Sequence, residues 1–211
     1  MRTVLIANPK GGSGKTTLAT NLAGYFATRG RRVTLADLDR QQSSLAWLQR
    51  RPDHLPRIHG VDGRKHKSAD SGAEWVVMDS PAGLRDDKLT EAIKQADAII
   101  VPMQPSAFDL AATEDFLGVL REEKTIRRGN VAVALVGMRV RALTNSAAAL
   151  EEYLNGVNDF DVPTTLRDAQ VYMLAAELGA SLFDIRPSQV ERDLEQWAPL
   201  LRWLTKSLKN A

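Results

Sequence analysis

The residues with the clearest chemical potential form a glycine-rich loop near the start of the chain. This loop follows the apolar run Thr3–Ala7 and reads Pro-Lys-Gly-Gly-Ser-Gly-Lys-Thr-Thr. Backbone amides in such a loop can converge on a phosphate, and glycine lets the main chain approach it closely. Lys15 would reach the outer phosphates of a nucleotide, and the Thr16 hydroxyl would hold Mg²⁺. The loop predicts these nucleotide-binding residues: Pro9, Lys10, Gly11, Gly12, Ser13, Gly14, Lys15, Thr16 and Thr17.

Carboxylates follow two further apolar runs. Asp37 and Asp39 come after Val33–Ala36, and Asp79 comes directly after Trp75–Met78. Because the carboxyl ends of parallel strands meet at one edge, these side chains should lie beside the phosphate loop. Nucleotide hydrolysis needs acidic groups there, to orient Mg²⁺ and to position the attacking water. We expect Asp79 on the metal side with Asp37 in support, and Asp39 at the attacking water, although each aspartate could instead form a turn or cap a helix.

The elements that must position these residues alternate along the chain. Short apolar runs, most of them rich in β-branched residues, predict buried strands at Thr3–Ala7, Val33–Ala36, Trp75–Met78, Ala98–Pro102 and Val131–Val136. Helical segments are predicted at Thr16–Arg29, Ser43–Arg50, Asp86–Gln95, Ala111–Lys124, Ala147–Leu154, Val171–Glu177 and Glu191–Leu208. The alternation indicates an α/β fold, a doubly wound and mainly parallel sheet with helices on both faces, in a single domain over residues 1–211. Residues 51–72 predict a loop with at most one short strand near Ile58.

Composition excludes several classes of chemistry. The 211 residues include no cysteine, so disulfides, thiolate metal sites and cysteine nucleophiles are excluded. We expect a cytoplasmic protein, since no secretion signal precedes the first strand and no apolar run approaches the roughly 20 residues of a membrane span. The formal net charge of +2 does not by itself demand a nucleic-acid partner.

The loop departs from the standard phosphate-loop pattern, because Pro9 stands where that pattern has its first glycine. Its sequence from Lys10 to Thr17 instead resembles the deviant loop of the ParA/MinD family of ATPases. Three further segments resemble that family's D-x-D-P-Q, D-x-P-A and V-P-x-Q-P-S motifs, at residues 37–41, 79–82 and 101–106. Arg40 replaces a usual proline and Ser13 a usual valine, and neither change removes a group that hydrolysis needs.

The resemblance implies a P-loop NTPase fold, ATP and Mg²⁺ as cofactors, and slow ATP hydrolysis stimulated by a partner. It also gives Lys10 a role, which is to contact the phosphates of the other subunit's ATP in a homodimer. The candidate catalytic residues are then Lys10, Lys15 and Asp39, and the candidate metal residues are Thr16, Asp37 and Asp79. The alternative for Lys10 is a solvated loop lysine.

The resemblance further implies that the ATP dimer binds nucleoid DNA non-specifically. An adaptor or centromere-binding protein would stimulate hydrolysis and reset the dimer. The cargo would be a plasmid, a chromosome region, a carboxysome or another protein cluster. Candidate DNA contacts are Arg139, Arg141, Arg167, Arg186 and Arg192, and a solvated surface is the alternative for each. No helix-turn-helix segment precedes the first strand, so we expect no operator-specific DNA binding.

Two other functions stay open. A MinD-like membrane-cycling regulator would insert the stripe Trp197, Leu201, Leu204 and Leu208 into a bilayer. We favour packing of this stripe on the sheet, and so expect no membrane partner, because acidic residues precede it and no separate tail carries it. A P-loop metabolic ligase would instead need a pocket for a small substrate.

Overall fold

In the computed structural model, which describes residues 1–65 and 72–208, seven strands form one sheet in which every pairing is parallel. The strands are β1 (Arg2–Ile6), β2 (Val33–Asp37), β3 (His59–Asp62), β4 (Trp75–Asp79), β5 (Ala98–Met103), β6 (Ala132–Val140) and β7 (Asp161–Arg167). Their order across the sheet is β3-β2-β4-β1-β5-β6-β7. This arrangement confirms the predicted fold class.

Helices cover both faces of the sheet. They are α1 (Lys15–Thr28), α2 (Ser43–Gln49), α3 (Asp86–Gln95), α4 (Ala107–Glu122), α5 (Lys124–Arg127), α6 (Asn145–Gly156), α7 (Gln170–Glu177) and α8 (Pro187–Ser207), with a short 3₁₀ helix at Leu182–Asp184. One buried cluster lies between the sheet and α1, α2 and α8, and a second lies between the sheet and α3, α4 and α6. The central strand β5 is apolar along its whole length, and β4 is apolar up to its last residue, Asp79, because both faces of these strands are covered.

The predicted elements appear with shifted ends. All five predicted strands are present, and the short strand expected near Ile58 is β3. Helix α4 begins at Ala107 rather than Ala111, where the Ser106 side chain caps it. Helix α8 begins at Pro187, with proline in its first turn, but its backbone is non-helical at Val190, so its continuous part begins at the predicted Glu191. Residues 66–71 of the predicted loop, which hold His66 and Lys67 of its charge run, lie outside the described residues.

Strand β7 was not predicted. It reads Asp-Val-Pro-Thr-Thr-Leu-Arg and lies at the edge of the sheet, where most of its side chains are half-buried. An edge strand can hold a proline and several polar residues, since one of its sides pairs with no other strand. The sequence therefore gives no continuous apolar run at this position.

The C-terminal stripe packs inside the protein. Trp197, Leu204 and Leu208 are buried, Leu201 is half-buried, and the Trp197 indole donates a hydrogen bond of 3.0 Å to the Tyr172 hydroxyl. The packing alternative is therefore confirmed. Over residues 1–65 and 72–208, no helix combines the length and the apolar character that crossing a bilayer requires.

Candidate nucleotide site

The phosphate loop joins β1 to α1 and turns sharply at two glycines. Gly12 has a φ of 77° and Gly14 a φ of 104°, in the left-handed region that favours glycine. A Cβ on Gly14 would also lie 2.9 Å from the Met138 methyl group. Within the described part of the chain, no side chain caps the first turn of α1. Its free backbone amides therefore face the loop and form an anion site.

Lys15 is buried at the base of this loop. Its side-chain Nζ donates a hydrogen bond of 2.7 Å to the Lys10 carbonyl oxygen. Burial lowers the pKa of Lys15, while the negative charges of Asp79 and Asp39 act in the opposite direction. It also lies 3.5 Å from the Ser13 hydroxyl oxygen. The ammonium group thus lies inside the loop with two neutral partners, which phosphate oxygens could replace.

Asp79 and Thr16 form the candidate metal site. The Thr16 hydroxyl donates a hydrogen bond of 2.8 Å to Asp79 Oδ2. Asp79 Oδ1 is buried and finds no hydrogen-bond partner among the described residues, and the same holds for the neighbouring Ser80 hydroxyl. Burial raises the pKa of Asp79 to about 7, and the nearby charge of Asp37 adds to this, while the Thr16 hydrogen bond opposes it.

These groups fit Mg²⁺. Hydroxyl and carboxylate oxygens are the ligands that this ion takes from proteins, and it draws its other ligands from phosphates and water. In residues 1–65 and 72–208, no cluster of three or more His, Cys, Asp or Glu side chains could hold a metal alone. This finding is consistent with an ion that takes some of its ligands from the protein and the others from a bound nucleotide.

Asp37 is fully buried and accepts four hydrogen bonds. Oδ2 accepts from the backbone N–H of Ser44 at 3.0 Å, from the Ser44 hydroxyl at 2.7 Å and from the Leu45 N–H at 3.2 Å. Oδ1 accepts from the Asp39 N–H at 2.9 Å. Asp37 is paired with Asp79 in the register of β2 and β4. It therefore holds the first turn of α2 and the start of the following loop while lying next to Asp79.

Asp39 lies in that loop and is half-buried. Its backbone N–H is fixed by Asp37, and its Oδ1 accepts a hydrogen bond of 2.9 Å from the Gln41 N–H. The tight turn brings a second carboxylate to the nucleotide edge of the sheet, close enough to influence the Lys15 ammonium electrostatically.

Lys10 is half-buried and lies at the start of the loop. Its N–H donates a hydrogen bond of 2.8 Å to Asn8 Oδ1. Across the described ranges, its ammonium group makes no hydrogen bond or ion pair with another side chain. It borders a groove of about 420 Å³ between α3 and α4, whose floor includes Leu84 and Phe116.

Two contacts to the loop come from residues to which the sequence assigned no role. Asn8 is 2 % exposed and connects the loop to β5 and α4. The Gln104 side-chain amide donates a hydrogen bond to the Gly12 carbonyl oxygen. Gln104 lies in the segment 101–106 that resembles a family motif, so the sequence could have indicated a role for it. Asn8 is marked only by its place immediately before the loop.

A cavity of about 650 Å³ opens beside the loop and extends to α7. Thr17 and Gln104 line its phosphate-loop side, and Met138, Leu166 and Tyr172 provide apolar and aromatic surface. The cavity has the size and mixed lining of a small-molecule site. No local sequence pattern indicates these residues as a group.

The five predicted DNA contacts fall into two sets. Arg139, Arg141 and Arg167 line the cavity beside the loop, whereas Arg186 and Arg192 are exposed at the start of α8. Two of the cavity arginines are already paired. Arg141 contacts Asp168 at 2.7 Å, and Arg167 contacts the buried Asp193 at 2.8 Å.

The model of the CobQ/CobB/MinD/ParA nucleotide-binding domain matches residues 4–196 of this chain. The chain belongs to this family. It is 28% identical to Protein ParA of Rhizobium radiobacter over 201 residues, which cover 90% of this chain and 88% of that protein. It is 31% identical to the chromosome-partitioning ATPase Soj of Thermus thermophilus over 175 residues, 66% of this chain and 69% of Soj. It is 27% identical to the maintenance of carboxysome distribution protein A of Halothiobacillus neapolitanus over 192 residues, 87% of each chain.

The fold is also that of solved structures. The structure of a plasmid partition protein from Borrelia burgdorferi B31 bound to AMPPNP superposes with a TM-score of 0.72 and 16% sequence identity. The similarity covers 95% of this chain and 98% of that one. The protein is thus a P-loop ATPase of the group that includes partition and positioning ATPases, which confirms the family predicted from the sequence motifs.

Proposed function

We propose that this protein is a ParA-type ATPase that forms an ATP-sandwich dimer, binds DNA non-specifically and positions or segregates a cargo. The observation that carries the proposal is the hydrogen-bonded pair of Thr16 and the buried Asp79, which lies beside the first turn of α1 and the enclosed Lys15 ammonium. An uncapped helix end, a cation and two oxygen ligands are what a Mg²⁺-bound nucleoside triphosphate requires.

Each residue then has a distinct role. Lys15 and the amides of residues 11–17 bind the β- and γ-phosphates, while Thr16 and Asp79 hold Mg²⁺. When bound, the ion neutralises charge that develops on the phosphate oxygens. Asp37 does not bind the ion directly, because its oxygens accept hydrogen bonds from the first turn of α2 and from the Asp39 N–H. It supports the site by holding these two segments in place. Asp39, in the turn that follows β2, positions the attacking water.

The cavity beside the loop is the proposed site of the nucleotide base. It begins at Thr17, directly after the phosphate-binding residues, and offers the apolar surface of Met138 and the ring of Tyr172 to a planar group. Arg139, Arg141 and Arg167 border it, so any DNA contact that they make would lie next to the bound nucleotide.

Dimer formation depends on Lys10. Two subunits that face each other across two nucleotides bury several negative charges, and these require cations from both sides. Among residues 1–65 and 72–208, the Lys10 ammonium group at the rim of the phosphate loop has no side-chain partner, so it can reach outward to a second copy of the chain. ATP then stabilises the dimer because it supplies the anion that each Lys10 needs.

DNA and an adaptor complete the proposed cycle. The exposed Arg186 and Arg192 are free to contact phosphates, and such binding would depend steeply on salt. A partner that stimulates hydrolysis would release the dimer from the nucleoid. The names of two relatives and of one structural neighbour suggest a chromosome region, a carboxysome or a plasmid as cargo. The buried C-terminal stripe argues against the membrane-cycling alternative.

Light scattering with a non-hydrolysable ATP analogue and Mg²⁺ tests the proposal. Wild-type protein should be a dimer with the analogue and a monomer with ADP. Lys10→Ala should bind the analogue but stay monomeric, and Lys15→Ala should lose the nucleotide itself. Lys124→Ala, which removes an exposed lysine from α5, is the matched control. A Lys10→Ala protein that dimerises like the wild type, or hydrolysis that requires a small second substrate, would contradict the proposal.

A further inference from the structure

A buried amide side chain connects the phosphate loop to α4. Asn8 Nδ2 donates hydrogen bonds to the Pro102 carbonyl oxygen at 2.8 Å and to the Thr113 hydroxyl oxygen at 3.1 Å. Asn8 Oδ1 accepts the Lys10 N–H at 2.8 Å. Thr113 is fully buried on α4, 105 residues away in sequence. The Asn8 side chain therefore connects α4 to the backbone of Lys10 through hydrogen bonds.

The orientation of this amide is fixed from both sides. The Lys10 N–H can only donate, so it must meet the Asn8 oxygen, and the Pro102 carbonyl can only accept, so it must meet the nitrogen. The second N–H of the amide then points at Thr113, which is its partner in the described structure. Without that hydroxyl, a buried N–H would lose its acceptor, and the amide would be free to tilt.

The rest of the loop has separate supports. Gly12 is held by Gln104, Gly14 packs against Met138, and the Gly14 carbonyl accepts the Leu18 N–H at 3.0 Å. None of these contacts involves Lys10. The Lys10 carbonyl does accept a hydrogen bond from Lys15, but that ammonium is the group that incoming phosphates would claim. Asn8 is then the remaining described partner of the Lys10 N–H and carbonyl, while the Gly83 N–H holds the other side of the same peptide by donating to the Pro9 carbonyl at 2.9 Å.

We propose that Thr113 is a positioning residue for Lys10, acting through Asn8. By fixing the amide that holds the Lys10 N–H, it determines the direction in which the Lys10 ammonium leaves the loop and so its fit to the partner subunit's nucleotide. This inference rests on the proposed role of Lys10 in the ATP dimer. It separates two properties of the loop, since binding of nucleotide within one subunit does not depend on Thr113.

The test compares Thr113→Val, which replaces the hydroxyl by a methyl group of similar size, with Thr113→Ser, which keeps it. The dissociation constant of the dimer is measured by sedimentation with Mg²⁺ and a non-hydrolysable ATP analogue. If the freed amide leaves the Lys10 ammonium correctly directed only about one-tenth of the time, Thr113→Val should weaken the dimer by about tenfold, and Thr113→Ser should restore it. Affinity for the analogue is measured in the monomeric Lys10→Ala background. It should change by less than about twofold, because Lys15 and the loop amides keep their contacts with the phosphates of the same subunit.

Three results would overturn the inference. Thr113→Val could dimerise like the wild type, or it could lose affinity for the analogue as strongly as it loses the dimer, or Thr113→Ser could fail to restore the dimer. If Thr113→Val does not fold, Asn8→Ala removes the acceptor of the Lys10 N–H directly, and it is held to the first two of these outcomes. Failure of the proposed function is seen separately, as a wild-type protein that stays monomeric or a Lys10→Ala variant that still dimerises.

Discussion

Replacing Asp79 by asparagine should stabilise the nucleotide-free protein at neutral and higher pH. In the folded protein, burial and the neighbouring Asp37 raise the pKa of Asp79 from 3.8 to about 7. Ionised Asp79 therefore destabilises the folded state by about 4 kcal/mol relative to the unfolded chain. Asparagine is neutral at every pH, and its oxygen can still accept the Thr16 hydrogen bond.

The sign of the pH dependence follows from where the proton binds more tightly. A carboxyl with a higher pKa in the folded state keeps its proton there, so the penalty is absent below about pH 4, grows as the pH rises to about 7, and is constant above that. About 3 kcal/mol of the stability difference between Asp79→Asn and the wild type should therefore develop between pH 5 and pH 8. Urea unfolding, followed by the fluorescence of the four tryptophans, measures it.

Two controls define the result. Asp53→Asn removes an exposed carboxylate, and its unfolding profile should run parallel to that of the wild type. Addition of Mg²⁺ and ATP should stabilise the wild type at pH 8 but stabilise Asp79→Asn much less, since the ion loses its anionic ligand. Parallel profiles for Asp79→Asn and the wild type would refute the claim that the ionised Asp79 carboxylate destabilises the folded state. Full Mg²⁺-dependent hydrolysis by Asp79→Asn would refute the proposed role of Asp79 as a metal ligand.

Two further substitutions test the framework around the site. Gly14→Ala should lower stability by about 1–3 kcal/mol and weaken nucleotide binding, because it combines a left-handed backbone with a contact of 2.9 Å to Met138. Adding Met138→Ala should relieve the contact only, so complete recovery in the double variant would contradict this account. Arg51→Ala should cost about 3–5 kcal/mol in urea unfolding, because it leaves the buried Asp184 without its ion-pair partner. Arg31→Ala, which breaks the exposed pair with Glu74, should cost less than about 1 kcal/mol, and equal losses would contradict the argument.

The sheet and the phosphate loop were predictable because their signals are local in the sequence. Strands β4 and β5 are continuous apolar runs, and the loop is a contiguous segment that combines glycines with Lys15 and Thr16. Carboxylates that directly follow a strand are placed by the sheet itself, which is why Asp79 could be assigned to the nucleotide edge.

The remaining features depend on contacts between distant segments. Asn8 meets Pro102 and Thr113 across 94 and 105 residues, so no local pattern reveals that connection. The cavity beside the loop is built from β6, β7 and α7, and β7 itself lacks an apolar pattern. Sequence spacing also could not show that the Arg141 and Arg167 side chains would be drawn into ion pairs.

The four hydrogen bonds to Asp37 bear on any attempt to re-engineer the ion preference of the proposed Mg²⁺ site. Asp37 and Asp79 hold equivalent positions at the ends of neighbouring strands, yet the Asp37 oxygens already hold the first turn of α2 and the loop that carries Asp39. Of these two carboxylates, Asp79 is the one to replace for a softer or larger cation, because replacing Asp37 would first loosen that helix and loop.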